Sequence, residues 1–394
     1  MDRHYTSLVT TTFEPKSAET SGNAAVKPRF EPKPPWLKVR APGGDTYHDI
    51  KATLRKLDLF TVCEEARCPN IGECWREGTA TVMLLGDVCT RGCRFCAVTT
   101  GDPRGAVDVR EPEHVARAIA RMGLQYVVMT MVNRDDLLDG GAEHVGRTVA
   151  RLRALRPDML IETLVGDFQG HLSHVDVVVE AGPDVFAHNI EVVRRLTRSI
   201  RDVRAGYDQS LDVLRRAKAR QRTIAASAKG DGGAPRRLTK SSIMVGLGET
   251  DEEIVETLRD LREAEVDVVT LGQYLRPSPK YAPVKRFVTP EEFAAFGKAA
   301  MEMGFLYAAS APLVRSSYKA AEVFIHSALR GDGESGEQAE ALLGERLAVA
   351  QREAARVAAE LGPAEQDEGE EGGKRAPAPP RTSPLIPLES LVRR

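Results

Sequence analysis

The sequence predicts an α/β protein with a parallel sheet, and three features lead to this prediction. After Thr81, strand-like segments alternate with helices of roughly ten to fifteen residues, which is the pattern of βα units. About six such units can be counted, fewer than the eight of a closed barrel. All six cysteines lie close to the first of these strands. We therefore expect a parallel sheet of about six βα units, with a cysteine-based site at the C-terminal ends of its strands.

The composition limits the classes of function. A chain of 394 residues has room for one large domain or two smaller ones. Its formal net charge is −2, and charges of both signs are spread widely, so electrostatics give no case for nucleic acid or membrane binding. No apolar run approaches the ~20 residues of a membrane span. Six cysteines without an export signal predict a reducing cytoplasm; a monomer is our default.

The segment before the cysteines divides into two parts. Residues 1–34 are rich in Thr, Ser, Pro and Lys, which is typical of a disordered extension, and their acidic residues argue against a mitochondrial presequence. Order is expected to begin near Trp36, and residues 46–59 have the apolar spacing of a short helix.

The elements after the cysteines follow from periodicity and capping. Thr250 and Glu253 have capping-box spacing at the start of one helix. The Ala/Gly/Ser-rich residues 221–235 predict a surface loop. The expected elements, in order, are strand 81–85, helix 111–122, strand 126–131, helix 141–155, strand 159–164, helix 171–181, strand 184–187, helix 207–220, strand 240–245, helix 251–264 and strand 266–271.

The last part of the chain, 328–394, changes to a charged, Pro- and Gly-rich composition. Residues 337–361 carry a loose apolar stripe that would suit a helix. We favour a mobile tail, and the alternative is a docking helix or a peptide that binds a partner.

The cysteines form two groups of three, Cys63-x4-Cys68-x5-Cys74 and Cys89-x3-Cys93-x2-Cys96. Structural zinc sites and [4Fe-4S] clusters both normally take four protein ligands, so a group of three leaves one position open. Disulfides belong to short secreted chains, and the scattered histidines do not offer zinc spacing. Iron-sulfur binding is the favoured interpretation.

The second group, with Phe95 before its last cysteine, resembles the signature of the radical S-adenosylmethionine enzymes. The resemblance implies that Cys89, Cys93 and Cys96 bind three irons of a [4Fe-4S] cluster and that the fourth iron chelates S-adenosylmethionine. It also implies a partial (β/α)6 TIM-like barrel, with N-terminal and C-terminal extensions, spanning 81–275.

Further motifs narrow this resemblance to the lipoyl synthase family, from about Pro34 to Ala321. They are KPPWLK, GDVCTRGCRFCAV, NRDDLLDGGAEH, IETLVGDFQG, FAHNIE, TKSSIMVGLGET, GQYLRPS and RSSY. The resemblance implies a second, auxiliary [4Fe-4S] cluster in segment 35–80, closed by segment 276–327. Its ligands would be Cys63, Cys68, Cys74 and Ser317.

The resemblance also implies the reaction and its partners. Two sulfur atoms from the auxiliary cluster would be inserted at C6 and C8 of an octanoyl chain bound to a lysine. The implied partners are octanoylated carrier domains (the E2 subunits of 2-oxoacid dehydrogenases and the glycine cleavage H protein), a ferredoxin or flavodoxin that supplies electrons, and an iron-sulfur carrier protein.

Polar residues in or just after predicted strands are candidates to bind S-adenosylmethionine or the acyl-lysine. They could instead cap helices or pair with a nearby arginine such as Arg134. The candidates are Asp135, Asp136, Glu162, Asn189 and Glu191.

Two other functions compete with this interpretation. Another sulfur-inserting radical enzyme, such as biotin synthase, is disfavoured because the first cysteine group paired with RSSY is not its arrangement. An iron-sulfur electron carrier would normally have every iron ligated by protein, which the group at Cys89 does not provide.

Overall fold

The structure is a computed structural model that describes residues 33–38, 60–61, 64, 68, 70–76, 79–227, 237–317 and 337–362. The chain divides into two units, Met1–Lys38 and Val39–Arg394. The described part of the first unit contains a short 3-10 helix, Pro35–Leu37. The predicted helix 46–59, Cys63 and most of the two terminal segments lie outside the described residues.

Ten strands are described in the second unit. They are β1 (Phe60–Thr61), β2 (Thr79–Leu84), β3 (Val88–Cys89), β4 (Thr99–Thr100), β5 (Tyr126–Met131), β6 (Leu160–Leu164), β7 (Val185–Ala187), β8 (Leu238–Val245), β9 (Val268–Gln273) and β10 (Tyr307–Ser310).

Eight of these strands form one sheet in the order β1-β2-β5-β6-β7-β8-β9-β10. Strands β2 and β5 to β10 pair in parallel, and the short β1 pairs antiparallel with β2 at one edge. In the described residues β10 pairs with β9 but not with β1, so the sheet is open. The predicted parallel α/β sheet is confirmed, with one parallel strand, β10, more than the six that were counted.

Nine α-helices are described, and most of them connect successive parallel strands. They are α1 (Ile71–Arg76), α2 (Glu111–Arg121), α3 (Ala142–Leu155), α4 (Leu172–Glu180), α5 (Thr197–Ile200), α6 (Tyr207–Ser227), α7 (Asp251–Glu263), α8 (Pro290–Glu302) and α9 (Glu337–Leu361).

The core lies between the sheet and the helices around it. On β5, Val127 and Met129 are fully buried in the apolar cluster that includes α2, α3 and α4. Tyr126 and Val128 alternate with them and belong to a different, smaller apolar cluster. This period-2 alternation places the two sets on opposite faces of the strand. Every helix and strand predicted within 81–271 is present, and no end is shifted by more than two residues except the C-terminal end of α6.

One expectation about a connecting segment was wrong, and two elements were not predicted. Helix α6 runs to Ser227, so the first half of the predicted loop 221–235 is helical. The alanines of this stretch favour a helix, and the prediction of a loop gave their helix propensity too little weight. Helix α8 and strand β10 were not predicted at all. The capping box of Thr289 and Glu292, which is formed in the structure, was the sequence signal for α8.

The predicted mobile tail is corrected for residues 337–362. Helix α9 packs against α2, with Ala350, Ala354 and Val357 buried. The Arg121 guanidinium donates to the carbonyl of Gly362 at 3.2 Å. Small residues on one face let two helices approach closely, which explains why a weak apolar stripe is sufficient here. Within the described residues no helix has the length and apolar character to cross a membrane.

Candidate functional site

The loop that carries the second cysteine group is closed at its base by a small sheet. Strands β3 and β4 pair in parallel, Val88 with Thr99 and Cys89 with Thr100. The Gly101 amide also donates to the carbonyl of Cys89 at 2.9 Å. The loop therefore leaves and rejoins the C-terminal end of β2 at a fixed point, which is the edge where parallel βα folds place their sites.

Arg91 anchors this loop from inside. Its side chain is 2% exposed, and it donates to Asp135 through Nε and Nη2, both at 2.8 Å, and to Asp167 through Nη1 at 2.8 Å. Burial alone would raise the pKa of Asp167, but the hydrogen bond and the charge of Arg91, together with His188 and the Gln169 amide, lower the pKa below its usual value. Two carboxylates from two different strand ends thus hold one guanidinium of the cysteine loop.

A second segment, residues 194–204, supports the other side of the loop. The Asp202 amide donates to the Cys93 sulfur at 3.3 Å, and the Gly92 amide donates to the Asp202 carboxylate at 2.8 Å. Burial would raise the pKa of Asp202, yet the hydrogen bonds from Arg204 and Gly92 lower it to about 2. Asp202 is therefore a charged brace between this segment and the loop.

The three thiols of the loop share one partly buried environment. Burial raises the pKa of Cys93 to about 11, and burial together with the neighbouring Cys93 and Cys89 raises the pKa of Cys96 to about 12. Iron binds thiolates, so it would replace these protons. The described residues hold no group of three Cys, His, Asp or Glu side chains around a single ion. The thiolates of a [4Fe-4S] cluster bind different irons, and such a cluster suits this donor set.

Glu191 lies next to the same thiols. Its backbone has φ +68°, and its amide donates to Ser242 while its carbonyl accepts from Met244, which fixes the residue beside β8. Burial raises its pKa, and its charge would raise the pKa values of Cys93 and Cys96. Asn189 donates to the Glu191 carboxylate at 3.2 Å. The structure therefore brings Asn189 and Glu191 together near the cysteine loop.

The other three polar candidates are engaged with protein cations. Asp135 binds Arg91, and Asp136 binds Arg134 at 2.8 Å. Glu162 binds the Lys240 ammonium at 2.7 and 3.0 Å and accepts from the Tyr126 hydroxyl, all of it buried.

The first cysteine group is described only in part, because Cys63 lies outside the described residues. Cys74 is buried on α1, and Cys68 precedes that helix. Asn70, between them, donates to the carbonyl of Leu313 at 2.7 Å. Ser317 accepts a hydrogen bond from Thr81 of β2 at 3.0 Å. Segment 311–317 thus brings the C-terminal part of the chain to the region of the first cysteines.

Arg315 shows that this second region suits an anionic group. Its Nη2 is buried and has no hydrogen-bond partner in the described part of the chain. Burial lowers the pKa of Arg315, and the nearby Cys68 thiol opposes this decrease. Burial raises the pKa of Cys68, and the charge of Arg315 opposes this increase. Arg315 Nη1 donates to the carbonyl of Val314, and a buried guanidinium nitrogen that has no such partner is costly. A thiolate-ligated iron-sulfur cluster carries the negative charge that would compensate it.

Comparisons with known proteins agree with both regions. Residues 83–261 match the model of the radical SAM superfamily, and residues 10–68 match the N-terminal domain of lipoyl synthase of that family. The chain is 75% identical over 375 residues to the lipoyl synthase of Sorangium cellulosum, covering 93% of this chain and 100% of that protein. The chain belongs to the lipoyl synthase family.

More distant lipoyl synthases also match over most of their length. The Thermus thermophilus protein is 53% identical over 76% of this chain and 88% of its own. The mitochondrial lipoyl synthase of Zygosaccharomyces rouxii is 52% identical over 80% of this chain and 79% of its own. Among solved structures, HydG, a maturase of the [FeFe]-hydrogenase, covers 57% of this chain and 49% of its own, at 13% identity and a TM-score of 0.43. This lipoyl synthase is a radical enzyme that uses S-adenosylmethionine and [4Fe-4S] clusters.

Several residues around the lipoyl synthase site were not singled out by the sequence. Arg91 stands inside the cysteine signature, but its partners Asp135 and Asp167 are 44 and 76 residues away. Asp167 could have been found by the rule that selected Asp135, since both follow a parallel strand. Asp202 offered no comparable signal in the sequence, because its contacts with the loop are made by its own amide to Cys93 and by the Gly92 amide to its carboxylate.

Proposed function

We propose that this lipoyl synthase converts an octanoyl chain, linked through an amide to a lysine of a carrier domain, into a lipoyl group. The family membership gives the class of reaction. The observations that carry the residue-level proposal are the two cysteine groups and two hydrogen bonds made by the segment that ends at Ser317. Thr81 of β2 donates to Ser317, and Asn70, which lies between Cys68 and Cys74, donates to the carbonyl of Leu313.

The saturated carbons C6 and C8 have no acidic hydrogen, so acid-base catalysis does not activate them. A [4Fe-4S] cluster held by Cys89, Cys93 and Cys96, with S-adenosylmethionine bound to it, would supply the radical chemistry that such carbons require. The protein's task is to hold both groups in position and to keep water away. The anchored loop, with Arg91 2% exposed and the half-buried Glu191 beside it, supports that task.

We assign the radical cluster to Cys89, Cys93 and Cys96, and contacts with S-adenosylmethionine to Asn189 and Glu191. The pair lies near the thiols, and Glu191 has a carboxylate oxygen for which no protein cation is described within hydrogen-bond distance. Asp135, Asp136 and Glu162 would act as positioning residues, because each is already paired with an arginine or lysine.

We assign the auxiliary cluster to Cys63, Cys68, Cys74 and Ser317. A serine oxygen is a weaker iron ligand than a thiolate, so the iron it holds is released more easily. This property suits a cluster that gives up sulfur. The proposed organisation is a terminal extension 1–34, an auxiliary-cluster segment 35–80, a barrel 81–275, a closing segment 276–327 and a terminal segment 328–394. Thr81–Ser317 and Asn70–Leu313 hydrogen bonds support the closing role of 276–327.

The proposed partners follow from this reaction. They are octanoylated E2 and H-protein carrier domains, a ferredoxin or flavodoxin as reductant, and an iron-sulfur carrier that restores the auxiliary cluster. We propose a cytoplasmic location. The Sorangium relative at 75% identity has no organelle in its name, whereas the yeast relatives are called mitochondrial.

The test is an anaerobic single-turnover assay with reductant, S-adenosylmethionine and an octanoyl-lysine peptide, analysed by mass spectrometry. We expect a product that has gained two sulfur atoms, together with 5'-deoxyadenosine. Ser317→Ala should still form 5'-deoxyadenosine but no sulfur-containing product. Ser316→Ala is the matched control, since it removes the neighbouring hydroxyl of the same motif and should leave sulfur insertion intact.

Two outcomes would contradict the proposal. If 5'-deoxyadenosine forms with the wild-type protein and the peptide stays unmodified, the substrate assignment fails. If Ser316→Ala and Ser317→Ala lose sulfur insertion equally, Ser317 is not the particular ligand of the auxiliary cluster.

A further inference from the structure

Residues 194–204 contain five arginines, and the assignment of the two clusters does not use most of them. The segment reads RRLTRSIRDVR and includes α5. Arg194 and Arg195 form ion pairs with acidic residues of neighbouring helices, and Arg201 is buried. Arg198 and Arg204 are exposed, and Arg204 also forms ion pairs with Asp202 and Asp135. These two residues place guanidinium groups of the segment at the surface.

Segment 194–204 is in direct contact with the loop that carries Cys89, Cys93 and Cys96. The Arg94 amide donates to the carbonyl of Ile200 at 2.8 Å, and the Arg94 guanidinium donates to the carbonyl of Ser199 at 3.0 Å. The Arg204 guanidinium donates to the carbonyl of Thr90 at 2.7 Å. Exposed cations from the loop and from the segment are thus side by side.

A third segment adds to the same surface. The Ala282 amide donates to the carbonyl of Arg94 at 2.8 Å, which brings the exposed Lys280 close to the loop. The neighbouring anion, Asp202, has a side chain only 10% exposed and is engaged by Gly92 and Arg204. Val203, between Asp202 and Arg204, is 91% exposed. We call Arg94, Arg198, Val203, Arg204 and Lys280 the basic surface.

The basic surface has a short connection to the radical cluster. Val203 is exposed, and the amide of the preceding residue donates directly to the sulfur of Cys93. One backbone step and one hydrogen bond therefore separate solvent from a proposed cluster ligand. An electron donor needs only such proximity, whereas the reacting carbon of a substrate has to enter the site itself.

We propose that the basic surface is the docking site of a small acidic protein that carries one electron to the radical cluster. The inference rests on the proposed function, which requires that electron. On docking, the carrier would be oxidised by one electron and the cluster reduced by one, with no atoms exchanged. Opposite charges around a small apolar centre give fast, salt-sensitive association, which suits a transient electron donor.

The test uses a double charge reversal, Arg198→Glu with Lys280→Glu, in the full chain. In the described residues neither side chain forms an ion pair or a hydrogen bond that holds the cysteine loop. The matched control is Lys298→Glu on α8, a side chain that is 79% exposed. Two measurements are made with reduced flavodoxin as the probe: its binding to the cluster-free chain by calorimetry, and the rate at which it reduces the reconstituted enzyme by stopped flow.

We expect the double reversal to weaken flavodoxin binding and slow reduction by about tenfold or more at low salt. The difference from wild type should shrink as salt is added, and Lys298→Glu should behave as wild type. Formation of 5'-deoxyadenosine with dithionite, a small reductant that needs no docking site, should be retained. Loss of activity with dithionite in the wild-type chain would instead count against the proposed function.

Two results would overturn the inference. One is flavodoxin binding and reduction that are unchanged in the double reversal. The other is a raised KM for an octanoylated carrier domain with unchanged flavodoxin kinetics, which would assign the surface to the substrate protein. If the double reversal loses dithionite activity, Arg198→Gln with Lys280→Gln replaces it, and the same two comparisons decide.

Discussion

Replacing Arg91 by Met should destabilise the protein through the carboxylates that Arg91 leaves behind. The guanidinium makes contacts of 2.7 to 2.8 Å with Asp135 and Asp167, and the Asp167 side chain is 0% exposed. Asp135 keeps Arg204 at 3.2 Å, but the described residues offer Asp167 no second cation within ion-pair distance. Removing one partner of a buried pair typically costs about 3–5 kcal/mol. Asp167 should account for most of that cost.

The assay is thermal unfolding of the cluster-free chain, which separates folding from metal binding. For a chain of 394 residues, an unfolding entropy of about 2 cal/mol/K per residue converts the expected loss into a Tm lower by roughly 4–6 °C. Adding Asp167→Asn to Arg91→Met removes the uncompensated charge and should recover part of the loss. Arg94→Met, in the same loop but exposed, should cost less than about 1 kcal/mol.

The reasoning about Arg91 would be refuted by either of two results. One is a Tm for Arg91→Met within about a degree of wild type. The other is a double variant with Asp167→Asn that is no more stable than the single variant, since the cost would then not come from the isolated carboxylate. Iron bound per chain after reconstitution gives a second readout, because a loosened loop should hold less of the radical cluster.

Three further predictions concern other parts of the molecule. Burial lowers the pKa of His188 from 6.5 to about 4, so the unfolded chain binds a proton at higher pH than the folded chain does. The free energy of unfolding should therefore fall by about 3 kcal/mol between pH 6.5 and 4. In urea titrations, His188→Gln should lack this dependence of the unfolding free energy on pH. Arg315→Gln removes a buried cation with an unpaired Nη2 and should stabilise the cluster-free chain by about 1–3 kcal/mol, yet lower the iron retained after reconstitution; a lower Tm without cluster would contradict this. Val357→Asp should detach α9 from α2, seen as loss of hydrogen-exchange protection over 337–361; unchanged protection would show that the contact does not depend on this side chain.

The sequence was informative where local pattern and tertiary environment agree. Strand β5 was predicted with its observed ends, Tyr126 and Met131, because an unbroken apolar run is typical of a strand buried on both faces. The capping box of Thr250 and Glu253 likewise placed the start of α7 correctly. Short β10, with the sequence Tyr-Ala-Ala-Ser, has no such pattern, and its strand conformation depends on pairing with β9.

The sequence identified the residues of the site whose type and spacing indicate a chemical role, but it did not identify their partners. Six cysteines can be recognised from their spacing, and polar residues after strands can be nominated from the geometry of parallel sheets. Which carboxylate faces a cofactor and which holds an arginine is decided by contacts between distant segments. Asp135 and Glu191 were equal candidates in the sequence, and the structure separates them because Arg91 reaches one and not the other.

The open side of the sheet explains how two distant parts of the chain could complete one cluster. Residues 311–317 leave β10, with Ala311 donating to Leu271 and Gln273 donating to Pro312, and pass over Gly272 of β9. A Cβ on Gly272 would lie 2.0 Å from the carbonyl oxygen of Val314, so only glycine at position 272 lets the backbone of this segment pass so close to β9. The segment then reaches Thr81 at the opposite part of the sheet, 236 residues away in sequence. A closed barrel would have β-pairing where this crossing runs; because the sheet stays open, Ser317 can approach the cysteines that precede the first parallel strand.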